Sequence, residues 1–351
     1  IINDKPHEHY TNSNSFVAFG EQCSAGLNIV NNYRHQLGTE NDFVFFADEH
    51  FHPDAFAALS GTIKAGGIMF WLCTDELINN KNNLFIQRLW QQVVIDDNSL
   101  LLNQEDSSFP ELEDLFNGFQ VQQQTVFTHP TCRTAEQLTA VEAIEKVANG
   151  HRNRPLTISA DRGRGKSSAL ALACIKLIKE AKTPIQIIIT APKLAALDSF
   201  FLLLAKHLPD AVIDKKSLSL NHSRIDFQPL DVILSQLPKT HLLLVDEAAA
   251  MPLYLLDKLF EHFHRIVFSS TLHGYEGAGR GFALKHQALH KKHQLPLQHL
   301  TLQAPIRWAK EDPLEALVFD SCLLNAELIE VENNSQQALS ALEYTEFSPE
   351  Y

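Results

Sequence analysis

The segment Thr157–Ser168, TISADRGRGKSS, constrains the fold more than any other part of the chain. An apolar β-run ends at Ala160. A loop carrying Gly163 and Gly165 follows, and Lys166-Ser167 opens a long helix with apolar periodicity. Strand, glycine loop and helix in that order make a cradle for an anion. The N–H groups of the loop and of the helix N-terminus point at a phosphate, and the helix dipole favours its negative charge. The two glycines let the backbone turn tightly around it. Lys166 would reach the β- and γ-phosphates, and the Ser167 hydroxyl would ligate Mg²⁺. The pattern departs from GxxxxGK[ST] at its first position, which is Ala160 here. Arg162 and Arg164 add positive charge beside the loop. Taken alone, the segment also reads as a glycine-rich strand–helix turn that holds no anion.

A second segment narrows that choice. His241–Glu247, HLLLVDE, drives four apolar residues into Asp246-Glu247. A buried parallel strand ending in two acids is the partner a phosphate loop needs. Asp246 at the strand's carboxyl end would hold Mg²⁺, directly or through water, and Glu247 would polarise the attacking water. The 80 residues from Lys166 to Asp246 leave room for intervening strands, as in ATPases of the RecA type. The plainer reading of the acids is an exposed pair capping the helix that follows Pro252. A third segment, Phe268–Phe282, ends a β-run in Ser269-Ser270-Thr271 and enters a loop holding Gly274, Gly277, Gly279, Arg280 and Gly281. Hydroxyls at such a strand end suit sensing of a γ-phosphate, because they donate without fixed charge.

Two single residues carry two readings each. Gln137, in TAEQ, could read an adenine edge with its amide. Taken by itself it reads first as a solvated helix-start glutamine behind a Thr134 cap. Arg307, in APIRW, could stabilise charge developing on a γ-phosphate, or form a structural ion pair beside Trp308. His286, His290 and His293 share a helical spacing but lack an HExxH or Cys/His pattern, so a metal site is not expected. Lys285–Lys292, KHQALHKK, reads as a small basic face able to touch RNA, or as an ordinary solvated helix.

The rest of the chain is consistent with an α/β protein. Strands are expected at Ser15–Phe19, Asp42–Phe46 and Gly67–Leu72, with helices at Ser24–Leu37, Ala55–Lys64 and Leu84–Val94. After the polar, Gln-rich stretch from Ile95 to about Thr128, a second alternation begins. It places helices at Ala135–Val147, Lys166–Lys179, Leu194–Leu208 and Leu253–Phe263. Strands fall at Leu156–Ala160, Ile185–Thr190, His241–Val245 and Ile266–Ser270. The expected organisation is a Rossmann-like domain with linker over 1–128, a RecA-type P-loop NTPase domain with a parallel sheet over 129–333, and a tail over 334–351. Five scattered cysteines without a CxxC suggest a reducing compartment. No apolar run approaches the ~18 residues of a membrane span, and a cytoplasmic location is expected. The net charge of −13 argues against a chain basic throughout. It leaves room for local positive charge at Arg162, Arg164, Lys166, Arg280 and Lys285.

In that order, TISADRGRGKSSAL, LLLVDEAAAMP, SSTLHGYEGAGRGFALKH and LQAPIRWAKEDPLE resemble the bacterial tRNA(Met) cytidine acetyltransferase family. FHPDAFAALSGTIKAG resembles that family's N-terminal domain, so the resemblance runs over nearly the whole chain. It implies acetylation of the wobble cytidine of elongator methionine tRNA, with acetyl-CoA and ATP or GTP. It implies nucleotide contacts at Gln137, Gly163, Arg164, Gly165, Lys166, Ser167, Ser168 and Arg307, and it accommodates Ala160. Acetyl-CoA would bind a later glycine/arginine-rich turn. None follows Pro313–Leu324, where an acidic tail runs to Tyr351. With Ile at residue 1, the chain reads as a fragment carrying the nucleotide-driven part. The alternatives are a free-standing RNA helicase or translocase, and a nucleotide sensor without turnover.

Overall fold

Continuous apolar runs need cover on both faces once they become strands. The computed structural model supplies it. It describes residues 15–20, 29–30, 32–36, 39–103, 127–214, 216–271, 286–306, 308 and 310–324. Eight strands form one sheet: β4 (Leu156–Ala160), β5 (Gln186–Thr190), β6 (Val212–Asp214), β7 (Ser217–Leu220), β8 (Ser223–Phe227), β9 (Leu242–Val245), β10 (Ile266–Thr271) and β11 (Gln298–Leu302), in the order β11-β4-β10-β9-β5-β8-β7-β6. Pairing is parallel from β11 through β8 and antiparallel for β7 and β6 at the edge.

Side chains alternate across these strands. Leu156, Ile158, Ile187, Ile189, Leu242, Leu244 and Val267 pack with α4 (Ala135–Asn149), α5 (Lys166–Glu180) and α6 (Asp198–His207). Ile188, Leu243, Val245, Ile266 and Phe268 pack on the opposite face with α7 (Leu230–Gln236) and α8 (Leu253–His262). The strand order matters for the site. β10 lies between β4 and β9, so the phosphate-loop strand and the acidic strand are neighbours but one.

The first region is a three-stranded parallel sheet, β1 (Phe16–Phe19), β2 (Asn41–Phe46) and β3 (Ile63–Trp71), in sequence order. Its core joins Val17, Val44, Phe46 and Met69 to Phe56 and Leu59 of α1 (Pro53–Ser60) and to Ile86 and Leu89 of α3 (Leu84–Ile95). The short α2 (Asp75–Ile78) precedes α3 and is capped by Thr74. Leu314, Leu317 and Val318 of α9 (Pro313–Ser321) complete the same core. A helix that follows the second sheet in sequence is therefore built into the first.

Several expectations change. The helix expected at Ser24–Leu37 does not run through Ile29 and Val30. Ile29 bridges Ala18 as extended chain, and Val30 N–H donates to the Ala18 carbonyl at 2.8 Å. Among the described residues of that stretch, a 3₁₀ turn at Tyr33–Gln36 is the helical part, and 24–28, 31 and 37 lie outside them. The helix expected to Lys64 stops at Ser60, because Gly61 ends it and Ile63 starts β3. The helix expected at Leu194–Leu208 opens as a 3₁₀ turn, Leu194–Leu197, before α6. The β6–β8 meander has no counterpart among the expected strands.

Candidate nucleotide-binding site

Three strand ends converge at one edge of the large sheet: Ala160, Val245 and Thr271. After Ala160 the loop needs two left-handed residues, and the glycines take them, Gly163 at φ +74° and Gly165 at φ +79°. Gly165 caps α5 without a side-chain hydrogen bond. Among the described residues, no side-chain cap takes up the first N–H groups of that fifteen-residue helix.

Lys166 is buried beneath the loop. Its Nζ donates to the carbonyls of Ala160 at 3.1 Å and Asp161 at 3.3 Å. Burial pushes its pKa down, and the carboxylates of Glu247 and Asp246 oppose that shift. Among the described residues no carboxylate comes within ion-pair distance of it. An ammonium held by carbonyls alone suits a phosphate. Ser167 Oγ donates to Asp246 Oδ2 at 2.7 Å. Ser168 follows in the first turn of α5, half-buried.

The two acids are separately anchored. Asp246 Oδ1 accepts the Ser269 hydroxyl and, at 3.0 Å, the Glu247 N–H. Glu247 takes a left-handed backbone, φ +51°. Its Oε2 accepts the Thr271 hydroxyl at 3.0 Å, and its Oε1 faces the Thr271 N–H at 3.4 Å. The hydroxyl-rich end of β10 therefore grips both acids that follow β9, which the sequence pattern relates only by position.

Gln137 is buried at the start of α4. Its Oε1 accepts the Arg133 N–H at 2.8 Å, and Thr134 Oγ1 caps its N–H at 3.1 Å. A Cβ placed on Gly165 would stand 3.0 Å from its Nε2. The structure thus sets Gln137 against the loop. Arg164 turns away from the loop mouth: its Nη2 donates to Glu315 Oε2 at 2.8 Å. Arg307, and Arg280 with its glycines and Lys285, lie outside the described residues. Sequence reasoning gives no site role to Ile306, Trp308 or Glu315, although all three lie in the block LQAPIRWAKEDPLE.

The histidines of 286–292 are core residues. His286 and His290 are buried and lie against Phe260. Burial lowers the His286 pKa to about 3 and also lowers that of His290. They contribute no charge to a basic face. Among the described residues, no group of three His, Cys, Asp or Glu is arranged to hold a metal. The hard oxygen pair Ser167–Asp246, beside an open helix N-terminus, fits Mg²⁺, which takes few protein ligands and completes its shell with water and phosphate. Among the described residues, no helix is long and apolar enough to cross a membrane.

This fold and site define a P-loop NTPase domain of the helicase-like type, joined to a small α/β domain. Two family signatures match. One, described as tRNA(Met) cytidine acetyltransferase TmcA, N-terminal, covers residues 6–104. The other, described as RNA cytidine acetyltransferase NAT10/TcmA, helicase domain, covers residues 157–325. The tRNA(Met) cytidine acetyltransferase TmcA of Vibrio cholerae is 36% identical over 295 residues, 84% of this chain and 39% of that protein. Its counterpart in Nitrosococcus halophilus is 35% identical over 317 residues, 83% of this chain and 41% of that one. The chain belongs to the tRNA(Met) cytidine acetyltransferase family, over that family's N-terminal and helicase domains. It spans about two fifths of the length of these relatives. Among solved structures, the large terminase of a thermophilic bacteriophage overlaps 48% of this chain and 45% of its own at a TM-score of 0.35 and 13% identity, a likeness without weight in that assignment.

Proposed function

We propose that this chain binds ATP or GTP with Mg²⁺, hydrolyses it, and so drives acetylation of the wobble cytidine of elongator methionine tRNA. No step of the acetyl-CoA chemistry is assigned to the residues described above. One observation carries the reading: the Ser167–Asp246 hydrogen bond of 2.7 Å, which joins the phosphate loop to the acidic strand across the intervening β10.

The loop N–H groups and the α5 N-terminus hold the phosphates, and Lys166 neutralises them from below. Ser167 and Asp246 hold Mg²⁺, which offsets the charge on the phosphate oxygens. Glu247, fixed by Thr271, orients and deprotonates the attacking water. Gln137 contacts the base side of the nucleotide, and Arg307 supplies positive charge at the transition state. Such chemistry is mostly positioning and electrostatics. Turnover would remodel the tRNA so that the wobble base leaves its stack, at a cost of a few kcal/mol. The partner is RNA and the setting cytoplasmic.

The test is Lys166→Ala in the full-length enzyme, with phosphate release and tRNA acetylation measured together. Both fall on this reading. Acetylation unchanged at saturating ATP refutes the coupling. Phosphate release that tRNA never stimulates favours a sensor over a motor.

A further inference from the structure

A positively charged side chain inside a phosphate loop is expected to face the phosphates. Arg164 does not. Its guanidinium meets Glu315, 151 residues further on, at 2.8 Å, and both side chains are largely buried. Among the described residues, Glu315 is its sole carboxylate partner. The same oxygen of Glu315 accepts the indole N–H of Trp308 at 3.0 Å. The Trp308 ring lies against Gly163, where an added Cβ would come within 2.9 Å of it.

These contacts belong to a strap. After the end of β11, the described residues 303–306 and 308 lie along the phosphate loop and its flank, and α9 follows. Glu136 Oε2 accepts the N–H groups of Gln303 and Ala304 at 2.6 and 2.8 Å. Ile306 N–H donates to the Gly163 carbonyl at 2.9 Å, and the Ile306 side chain covers Gly165. Glu315 closes the far end. It stands in the first turn of α9, where its N–H is capped by Asp312 at 2.9 Å, and the apolar face of α9 is built into the core of the first domain. Both left-handed glycine turns are therefore held from outside the loop.

We propose that Glu315 is a positioning residue for the phosphate loop, acting through Arg164 and Trp308, with the first domain as its anchor. The proposal rests on the nucleotide-binding reading above. A loop held in its anion-binding shape loses less freedom when the anion arrives, so the strap acts on affinity. Neutralising Glu315 leaves the Arg164 charge buried without a counter-ion and replaces the charged acceptor of the Trp308 indole by a neutral one.

The test measures nucleotide affinity by titration calorimetry with ATP and Mg²⁺ on the full-length enzyme, and steady-state phosphate release on the same samples. Glu315→Gln keeps the side-chain shape. It is expected to weaken binding and raise KM about tenfold, as loss of a charged hydrogen bond does, with kcat within about twofold of wild type. Arg164→Met is expected to weaken binding as much, and the double variant no further, because both act through one pair. Trp308→Phe removes only the indole donor and should weaken binding less, by about threefold. Wild-type affinity in Glu315→Gln, whether or not its melting temperature falls, overturns the proposal, as do additive single effects. Lys166→Ala separates the two claims. If it leaves binding intact, the site reading itself fails. If it abolishes binding while Glu315→Gln does not change it, only the strap fails.

Discussion

Thr271→Val isolates the link between β10 and the proposed water-activating acid. Valine keeps the shape of threonine and loses the hydroxyl. Thr271 is buried, so solvent does not restore the missing donor. The hydroxyl donates to Glu247 Oε2 at 3.0 Å, a hydrogen bond to a charged acceptor. Such bonds contribute about 1.5–3 kcal/mol. The Thr271 N–H, 3.4 Å from Oε1, still holds the other oxygen, which favours the lower half of that range. At 1.36 kcal/mol per decade, a loss of about 1.5–2 kcal/mol slows hydrolysis about 10–30-fold. Because the hydroxyl is committed to Glu247, the loss falls on kcat and leaves KM for ATP within about twofold. Phosphate release over a range of ATP concentrations reads both. A kcat within twofold of wild type would refute the claim that Thr271 sets the Glu247 carboxylate. So would a tenfold rise in KM at constant kcat.

Gly165→Ala forces an L side chain into φ +79° and drives its Cβ into Ile306 Cδ1. Left-handed strain of about 1–2 kcal/mol and displacement of Ile306 should lower stability by about 2–4 kcal/mol in urea titration. An Ile306→Val second change should recover part of the loss. For His286, whose pKa burial lowers from 6.5 to about 3, the unfolded chain binds a proton across that interval and the folded chain does not. Stability is therefore lost as pH falls below about 6.5, by ~1.4 kcal/mol per pH unit from this residue. His286→Gln should flatten the melting-temperature profile between about pH 6 and 4 relative to wild type, and a parallel profile would contradict the buried neutral imidazole.

The parts of the fold legible in the sequence are those with the strongest burial. Leu156–Ala160 is legible to the residue, since a run buried on both faces has sharp ends where the glycine loop and turn signals begin. The meander β6–β8 escapes because Val212–Phe227 interleaves Lys, Ser, Asn and Arg with isolated apolar residues, and its outer strand is exposed. The stretch Ser24–Leu37 carries helical spacing, yet Ile29 bridges Ala18 as extended chain, where tertiary pairing overrides a local pattern. At the site, Lys166 and Ser167 are legible because strand–loop–helix order places them, and Asp246 because an apolar run ends on it. Its place in the loop assigns Arg164 to the phosphates. Its partner Glu315 lies 151 residues away, and no local pattern encodes that pair. The anchoring of α9 in the first domain's core is hidden likewise, since sequence order assigns it to the second.

The central claim is that Asp246 and Glu247 have different work: one holds the loop and its ion, the other activates water. Glu247→Gln keeps size and hydrogen-bonding reach but removes the base. The decisive measurement is single-turnover hydrolysis of ATP by this variant, with nucleotide affinity taken on the same preparation. The account predicts affinity within about threefold of wild type and hydrolysis slowed at least ~100-fold, the usual range for a lost general base. Hydrolysis at the wild-type rate would contradict it.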